Sequence, residues 1–278
     1  MNTVLTHELP GGRVIGLCTD SNALLPPDLI AAFGVEVVPL TVTMDDVDHL
    51  EGVDLDVDSF YAAYGAERWP QVHVAAPSAG QFAAAYDDLL ARGCTEILSI
   101  HVCSKTSATI NAARLAARGL PVPVRVVDSG TAGFGVGCCV WQAASAIAAG
   151  ATLEQAAAVA EALTPTIGNV FVIDAPGRDE DAGLDVCSWR PGAVDTVGHV
   201  DGLLRAVNWM ASWTLGRGAD LRVGVGHSSA DSAGLAAALE AALSGAANVV
   251  EVVRFRITPS VGAFSGPGAA GLFAFPTR

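Results

Sequence analysis

Three times in its first half the chain runs through an apolar stretch, breaks into a short polar turn and resumes as a helical pattern. Val14-Ile15-Gly16-Leu17-Cys18 ends in Thr19-Asp20-Ser21, and Ile97-Leu98-Ser99-Ile100-His101-Val102 ends in Cys103-Ser104-Lys105. Val124-Arg125-Val126-Val127 ends in Asp128-Ser129-Gly130-Thr131. Buried strands alternating with helices are what a doubly wound, mostly parallel sheet requires. Ligands of such sheets bind beyond the carboxyl ends of the strands, where all three polar turns fall. Strand-to-helix turns also favour Ser, Thr and Asp as helix caps. Capping accounts for one hydroxyl, but not for Cys103, Ser104, Lys105, Thr106 and Ser107 in succession, and Lys105 is the only lysine of the chain. Free backbone N–H groups collect at such a strand end, so this turn is a candidate ligand site.

The chain has 278 residues, 51% hydrophobic and 16% charged, which is material for two cores. The pattern changes near Thr164-Pro165, and the expected domains are residues 1–162 and 163–278. Apolar runs are interrupted by Gly, Pro or charge before reaching bilayer length, and no membrane span is expected. Met1 to Pro10 has neither a basic nor an apolar region of an export signal, so a cytoplasmic location is expected. A net charge of −14 with scattered basic residues excludes binding to a nucleic-acid backbone. Cys18, Cys94, Cys103, Cys138, Cys139 and Cys187 form no C-x-x-C pair, and neither metal nor cofactor is expected.

Between the polar turns, Pro26-Pro27 opens a helix. Val35 to Val42 reads as one buried strand with Pro39 at an edge or bulge. The seven carboxylates from Asp45 to Asp58 lack the glycine and closing glutamate of a calcium loop and read as a solvated acidic loop. Such a loop is also where an acidic docking surface for a partner protein would lie. In the second half, strands are expected at Val170–Asp174, Val194–Val200, Leu221–His227, Val249–Ile257 and Leu272–Phe275. The stretch from Ala175 to Gly192 reads as irregular, and Pro259 to Ala269 as a glycine-rich turn. Trp209 and Trp213 on the helix Leu203–Trp213 read as core.

These landmarks together resemble the DegV family of bacterial fatty-acid-binding proteins over nearly the whole length. They are Thr19-Asp20-Ser21 with Pro26-Pro27, Val37-Val38-Pro39-Leu40-Thr41-Val42, Gly52-Val53-Asp54, and Pro77-Ser78 with Gly80 and Phe82. Leu98-Ser99-Ile100-His101, Ser104-Lys105 with Ser107 and Thr109, Val126-Val127-Asp128-Ser129 and Gly266-Pro267-Gly268-Ala269 follow in the same order. The resemblance implies a parallel doubly wound α/β domain followed by a mixed-sheet α/β domain, with a lipid held in the interdomain cleft. Its head group would lie near the strand-end hydroxyls and its tail in the second domain. Asp20, Ser21, Val74, Cys103, Ser104, Lys105, Phe264, Ser265 and Gly266 occupy the implied ligand-binding positions.

The departures from the family fall on the head-group cradle. Val74-Ala75-Ala76 stands where Thr-Ser-Gln is usual, Cys103-Ser104 replaces a double serine, and Phe264 replaces a histidine. The family's arginine- and glycine-containing stretch is not recognisable in Ala175 to Leu184. A buried carboxylate needs several donors, and each one lost costs about 1–3 kcal/mol. These changes argue against the family's association with a fatty-acid kinase. The leading expectation is binding of a fatty acid or other acyl, lipid-like molecule without a reaction. The alternative is an enzyme acting on an acyl or polyketide-like substrate, with Cys103 as nucleophile and His73 or His101 as base.

Overall fold

The computed structural model describes residues 12–65, 68–175, 177, 179 and 183–277. Met1 to Pro10 and half of Ala175 to Leu184, on which two of the sequence expectations rest, lie outside these residues. In chain order come β1 (Ile15–Asp20), α1 (Pro27–Phe33), β2 (Glu36–Val38), β3 (Thr41–Met44) and β4 (Val47–Leu50). Next are α2 (Val57–Ala62), β5 (Val72–Ala75), α3 (Ala79–Ala91), β6 (Glu96–His101) and α4 (Thr109–Ala116). Then follow β7 (Val124–Asp128), α5 (Phe134–Ala148), α6 (Leu153–Leu163), β8 (Gly168–Ile173) and β9 (Leu184–Arg190). The chain continues through β10 (Ala193–Val200), α7 (Leu203–Leu215), β11 (Leu221–His227) and α8 (Ala233–Leu243). It ends with β12 (Val249–Arg256), α9 (Pro259–Ser265) and β13 (Ala269–Pro276).

The chain divides into two units. One is the chain up to Thr41 together with Ala75–Pro165, and the other is Val42–Val74 with the chain from Thr166 onward. This differs from a contiguous division at residue 162, because Val42–Val74 is tied by specific bonds to the C-terminal part. The Tyr61 hydroxyl donates to the Ile257 carbonyl at 2.9 Å, and Glu51, buried, accepts the Ser260 N–H at 2.6 Å. Arg256 pairs with Asp58 at 2.8 Å.

The first unit is built on a parallel sheet of order β2-β1-β6-β7. Helices α3 and α4 pack against one face, and α5 and α6 against the other. Every residue of β1 is buried, as a strand covered on both faces must be. Phe82, Tyr86, Leu89, Ile97 and Ile110 fill the layer under α3 and α4. Helices α3 and α6 both start with reciprocal capping boxes, Ser78 with Gln81 and Thr152 with Gln155. The register pairs Thr19 with Ile100 and His101 with Asp128, so β1, β6 and β7 finish along one sheet edge.

The second unit holds a six-stranded mixed sheet of order β10-β9-β8-β13-β11-β12, with β11 and β12 parallel and the other pairs antiparallel. Val170, Val172, Val186, Met210, Val223, Val225 and Leu239 are part of its core, which includes α7 and α8. A three-stranded sheet, β4-β3-β5, accompanies it.

Four local expectations need correction. Val35 to Val42 is not one strand: it breaks at Pro39-Leu40 into β2 and β3, because proline supplies no ladder donor. The acidic segment is folded rather than a solvated loop, and contains β4 and the start of α2. Its carboxylates are used locally. Asp56 caps α2, Asp48 accepts from Thr43, Asp54 accepts the Leu50 N–H, and Asp45 pairs with Arg68. Part of the stretch expected to be irregular is β9, paired along its length with β10. The glycine-rich turn contains α9, and β13 is a central strand of the sheet. Trp209 and Trp213 pack against the core, and they also line a shallow groove with Val200, Arg205, Asn208 and Ser212.

Candidate functional site

The shared edge of β1, β6 and β7 brings Asp20, His101, Cys103, Ser104 and Asp128 together in the first unit. Asp20 and His101 are fully buried. Asp20 Oδ2 accepts from His101 Nδ1 at 2.9 Å and from the Val102 N–H at 3.1 Å, while its Oδ1 takes the Asn22 N–H at 3.1 Å. His101 Nε2 lies 2.6 Å from Ser99 Oγ, and Ser99 Oγ lies 2.9 Å from the Tyr86 hydroxyl. A carboxylate can only accept, so Nδ1 carries a proton directed at Asp20. The edge of Phe82 closes on the ring, with centroids 4.9 Å apart. Both nitrogens of His101 are thus engaged, by Asp20 and Ser99, and neither is bonded to Cys103.

Beyond this buried row the chain emerges into the polar turn. Cys103 is 2% exposed, and its N–H donates to the Thr131 carbonyl at 2.9 Å. Its own carbonyl accepts the N–H groups of Thr106 and Ser107, each at 3.1 Å, and the Thr106 hydroxyl at 3.1 Å. Ser104 is exposed. Its Oγ donates to Asp128 Oδ2 at 2.5 Å, and its N–H rests on the same carboxylate at 3.3 and 3.4 Å. Asp128 Oδ1 also takes the Gly130 N–H at 3.0 Å. Neither Ser104 nor Thr106 caps α4; Ser107 Oγ accepts the Thr109 N–H at 3.2 Å. Lys105 is exposed on the turn. Ser21 Oγ accepts the Leu40 N–H at 2.9 Å, fastening the bend after β2.

The remaining candidates belong to the second unit. His73 is exposed and Val74 half-buried, both on β5. Phe264 is 85% exposed on α9. Ser265 Oγ donates to the Gly266 carbonyl at 3.3 Å. Gly266 is buried with φ +67°, which only glycine adopts easily, and Trp69 packs over it. Serines 228 and 229, after β11, hold the turn that leads into β13 by accepting from the N–H groups of Ala269 and Gly268.

Three residues central to this arrangement were not singled out as site residues from the sequence. Asp128 holds Ser104, and Ser99 and Tyr86 extend the His101 row. Ser99 had a signal: two residues before His101 on one strand, it shares the same face. Among the described residues no group of three or more His, Cys, Asp or Glu is placed to hold a metal. No helix among them is long and apolar enough to cross a membrane.

The family model described as an uncharacterised protein of the DegV family matches residues 14–175. A DegV domain-containing protein of Streptomyces coelicolor is 35% identical over 162 residues, which is 58% of this chain and 57% of that protein. The alignment thus spans little more than half of that relative. Another, from Caldanaerobacter subterraneus subsp. tengcongensis, is 27% identical over 278 residues, covering 93% of this chain and 98% of that protein. The solved structure describing fatty acid binding of a DegV family protein from Thermus thermophilus is similar with a TM-score of 0.80 at 26% identity. It covers 94% of this chain and 99% of that one. DegV from Bacillus subtilis, a fatty acid binding protein, shares the fold with a TM-score of 0.78 at 21% identity, covering 94% and 98%.

Proposed function

This chain belongs to the DegV family, and from that premise we propose that it binds a fatty acid or a related single-chain acyl lipid. The observation that carries this reading is the likeness to the fatty-acid-binding relative from Thermus thermophilus over 94% of the chain. The head group is engaged at the strand ends of the first unit, around Ser21, Cys103, Ser104 and Lys105. Asp20 and His101 serve that site from beneath: they fix the end of β6 from which the Cys103-Ser104 turn projects.

The protein acts by holding its ligand. A thiol mechanism at Cys103 would need a base, and the neighbouring imidazole of His101 spends both nitrogens on Asp20 and Ser99. All six cysteines are free, which suits the reducing cytoplasm where we place the protein.

Native mass spectrometry of the purified protein, with organic extraction of the same sample, tests the reading. The expected result is a stoichiometric acyl chain that departs on extraction. Protein that carries nothing, and takes up neither palmitate nor hexadecanol from a cyclodextrin carrier, would overturn it.

A further inference from the structure

We infer that the open edge of the six-stranded sheet in the second unit, β10 with the flank of α7 beside it, is where a second copy of this chain docks. β10 is the outermost strand of its sheet. β9 takes one side of its ladder, and no other strand among the described residues pairs with the far side. A strand left in this way presents a row of N–H and C=O groups that is a template for another strand. The opposite edge is guarded by charge, because β12 carries Glu251, Arg254 and Arg256. β10 has no lysine, arginine or proline, and its one carboxylate, Asp195, is held by Arg190 at 2.7 and 3.1 Å.

Apolar side chains gather along the same edge. Val194 is 58% exposed and Leu204, in the first turn of α7, is 75% exposed; Val197 and Leu203 between them are exposed as well. No other stretch of like length among the described residues exposes as many large apolar side chains. Strand and helix form one surface here. A Cβ at Gly198 would stand 2.8 Å from Trp209, so its absence lets the indole lie directly against β10. Trp209 and Trp213 then line the groove with Val200, Arg205, Asn208 and Ser212. An exposed apolar patch of this kind marks a contact with another molecule.

Charge selects the occupant. The whole chain carries −14, so two copies approaching at random repel. Residues 184–217 span β9, β10 and α7, and there Asp185, Asp195 and Asp201 stand against Arg190, Arg205 and Arg217, a net of zero with His199 neutral. The surface itself therefore contributes no repulsion when two copies meet on it, whereas a basic partner finds its complement elsewhere on the chain. Two identical strands paired antiparallel are also related by a two-fold axis, so the contact closes at two copies. The bulge at Val197 interrupts the ladder and shortens the pairing, which makes the dimer a weak one.

Sedimentation velocity on the full-length protein, from about 5 to about 500 µM, is the test. A monomer–dimer equilibrium with a dissociation constant of about 50 µM is expected, as for an interface at the small end of the specific ones. Raising sodium chloride from about 20 to about 300 mM should tighten it severalfold, because salt screens the repulsion between the copies. Leu204→Glu and Val197→Arg put charge on the docking surface and should each weaken the dimer by about tenfold or more. Leu115→Glu, on α4 and equally open to solvent but in the other unit, should leave it unchanged. Protein that stays monomeric over the whole range overturns the inference. So does a dimer that weakens in salt, one that Leu204→Glu and Val197→Arg leave intact, or one that Leu115→Glu weakens as much. Monomer that sediments with phosphatidylcholine vesicles, and ceases to do so in Leu204→Glu, would give the surface to a lipid bilayer and likewise overturn it. Circular dichroism separates misfolding of a variant from lost contact, and the concentration and salt dependence of the unaltered protein decide the matter where a variant does not fold. Lipid binding at the strand ends of the first unit is untouched by any of these outcomes.

Discussion

Asp20 and His101 lie 81 residues apart in sequence and meet at 2.9 Å with both side chains fully buried. The parallel register of β1 and β6 makes that meeting obligatory, because it sets Thr19 beside Ile100 and so brings the next residue of each strand to the same level. Asp20 takes three donors on its two oxygens, and removing it strands each of them in the buried interior. Asp20→Ala should lower stability by about 3 kcal/mol, in the range of a broken buried network. Urea unfolding followed by circular dichroism measures this. A loss below about 0.5 kcal/mol would mean the row Tyr86–Ser99–His101–Asp20 is not a structural element.

The same burial sets the reactivity of the thiols. Cys18, Cys103, Cys138 and Cys139 are buried, whereas Cys94 and Cys187 are half-exposed. Desolvation pushes the Cys18 and Cys138 thiols well above their ordinary value, and that of Cys139 up to about 12. Under brief iodoacetamide treatment at pH 7.5, label should appear first and slowly on Cys94 and Cys187, with Cys103 protected. In denaturant all six should react. Rapid selective labelling of Cys103 in the folded protein, read by peptide mass spectrometry, would restore the thiol mechanism and remove the argument against catalysis.

His227, at the end of β11, gives the second unit a pH dependence whose sign is fixed. Burial and the positive charges of Arg256 and Arg254 lower its pKa from 6.5 to about 4. Asp58, which pairs with Arg256, acts weakly the other way. Between these values the unfolded chain takes up a proton that the folded chain refuses, so stability falls as pH drops from about 6.5 toward 4 and is fully present above 6.5. His227 is only half-buried, so solvent screening reduces its share to about 1 kcal/mol. The difference in unfolding free energy between pH 7 and pH 4.5 should be smaller by that amount in His227→Asn than in the unaltered protein. Equal slopes for the two proteins would show that His227 titrates alike folded and unfolded.

Strands β1, β6 and β7 of the first unit were legible because each is a short apolar run bounded by polar turns, and burial between helix layers leaves that pattern little freedom. Strand β4 was not legible, since Val47-Asp48-His49-Leu50 sits among carboxylates and its pairing with β3 is a tertiary fact. Helix α9 hides for a different reason: Pro259, Gly262 and Ser265 carry the composition of a turn, and packing overrides that propensity. At the site, the position of Cys103-Ser104 at a strand end followed from the alternation of elements. The direction of each hydroxyl proton did not, because Ser104 and Asp128 are joined across two strands. His101 read as a candidate base for the same reason. A histidine at a strand end is equally consistent with an open site and with a buried row until its two partners are placed.

The turn joining α9 to β13 offers a test of the second unit that involves no titration. Gly268 has φ +82°, and a Cβ there would stand 2.0 Å from the Asp174 carbonyl oxygen. That carbonyl belongs to backbone just after β8, fixed because Asp174 in turn donates its N–H to the Gly268 carbonyl at 2.9 Å. Neither partner can withdraw without breaking the pairing of β8 with β13 in the middle of the sheet. Gly268→Ala therefore combines a backbone conformation that side chains disfavour with a clash against main chain, and should cost more than about 3 kcal/mol. Gly245→Ala is the control. It also has positive φ, +86°, but open space around the missing Cβ, so it carries the conformational cost alone, about 1 kcal/mol. Thermal unfolding of the two variants should separate them by several degrees, with Gly268→Ala the lower. Similar melting temperatures would show that the approach of Asp174 to Gly268 is loose enough to yield, and that the sheet does not depend on it.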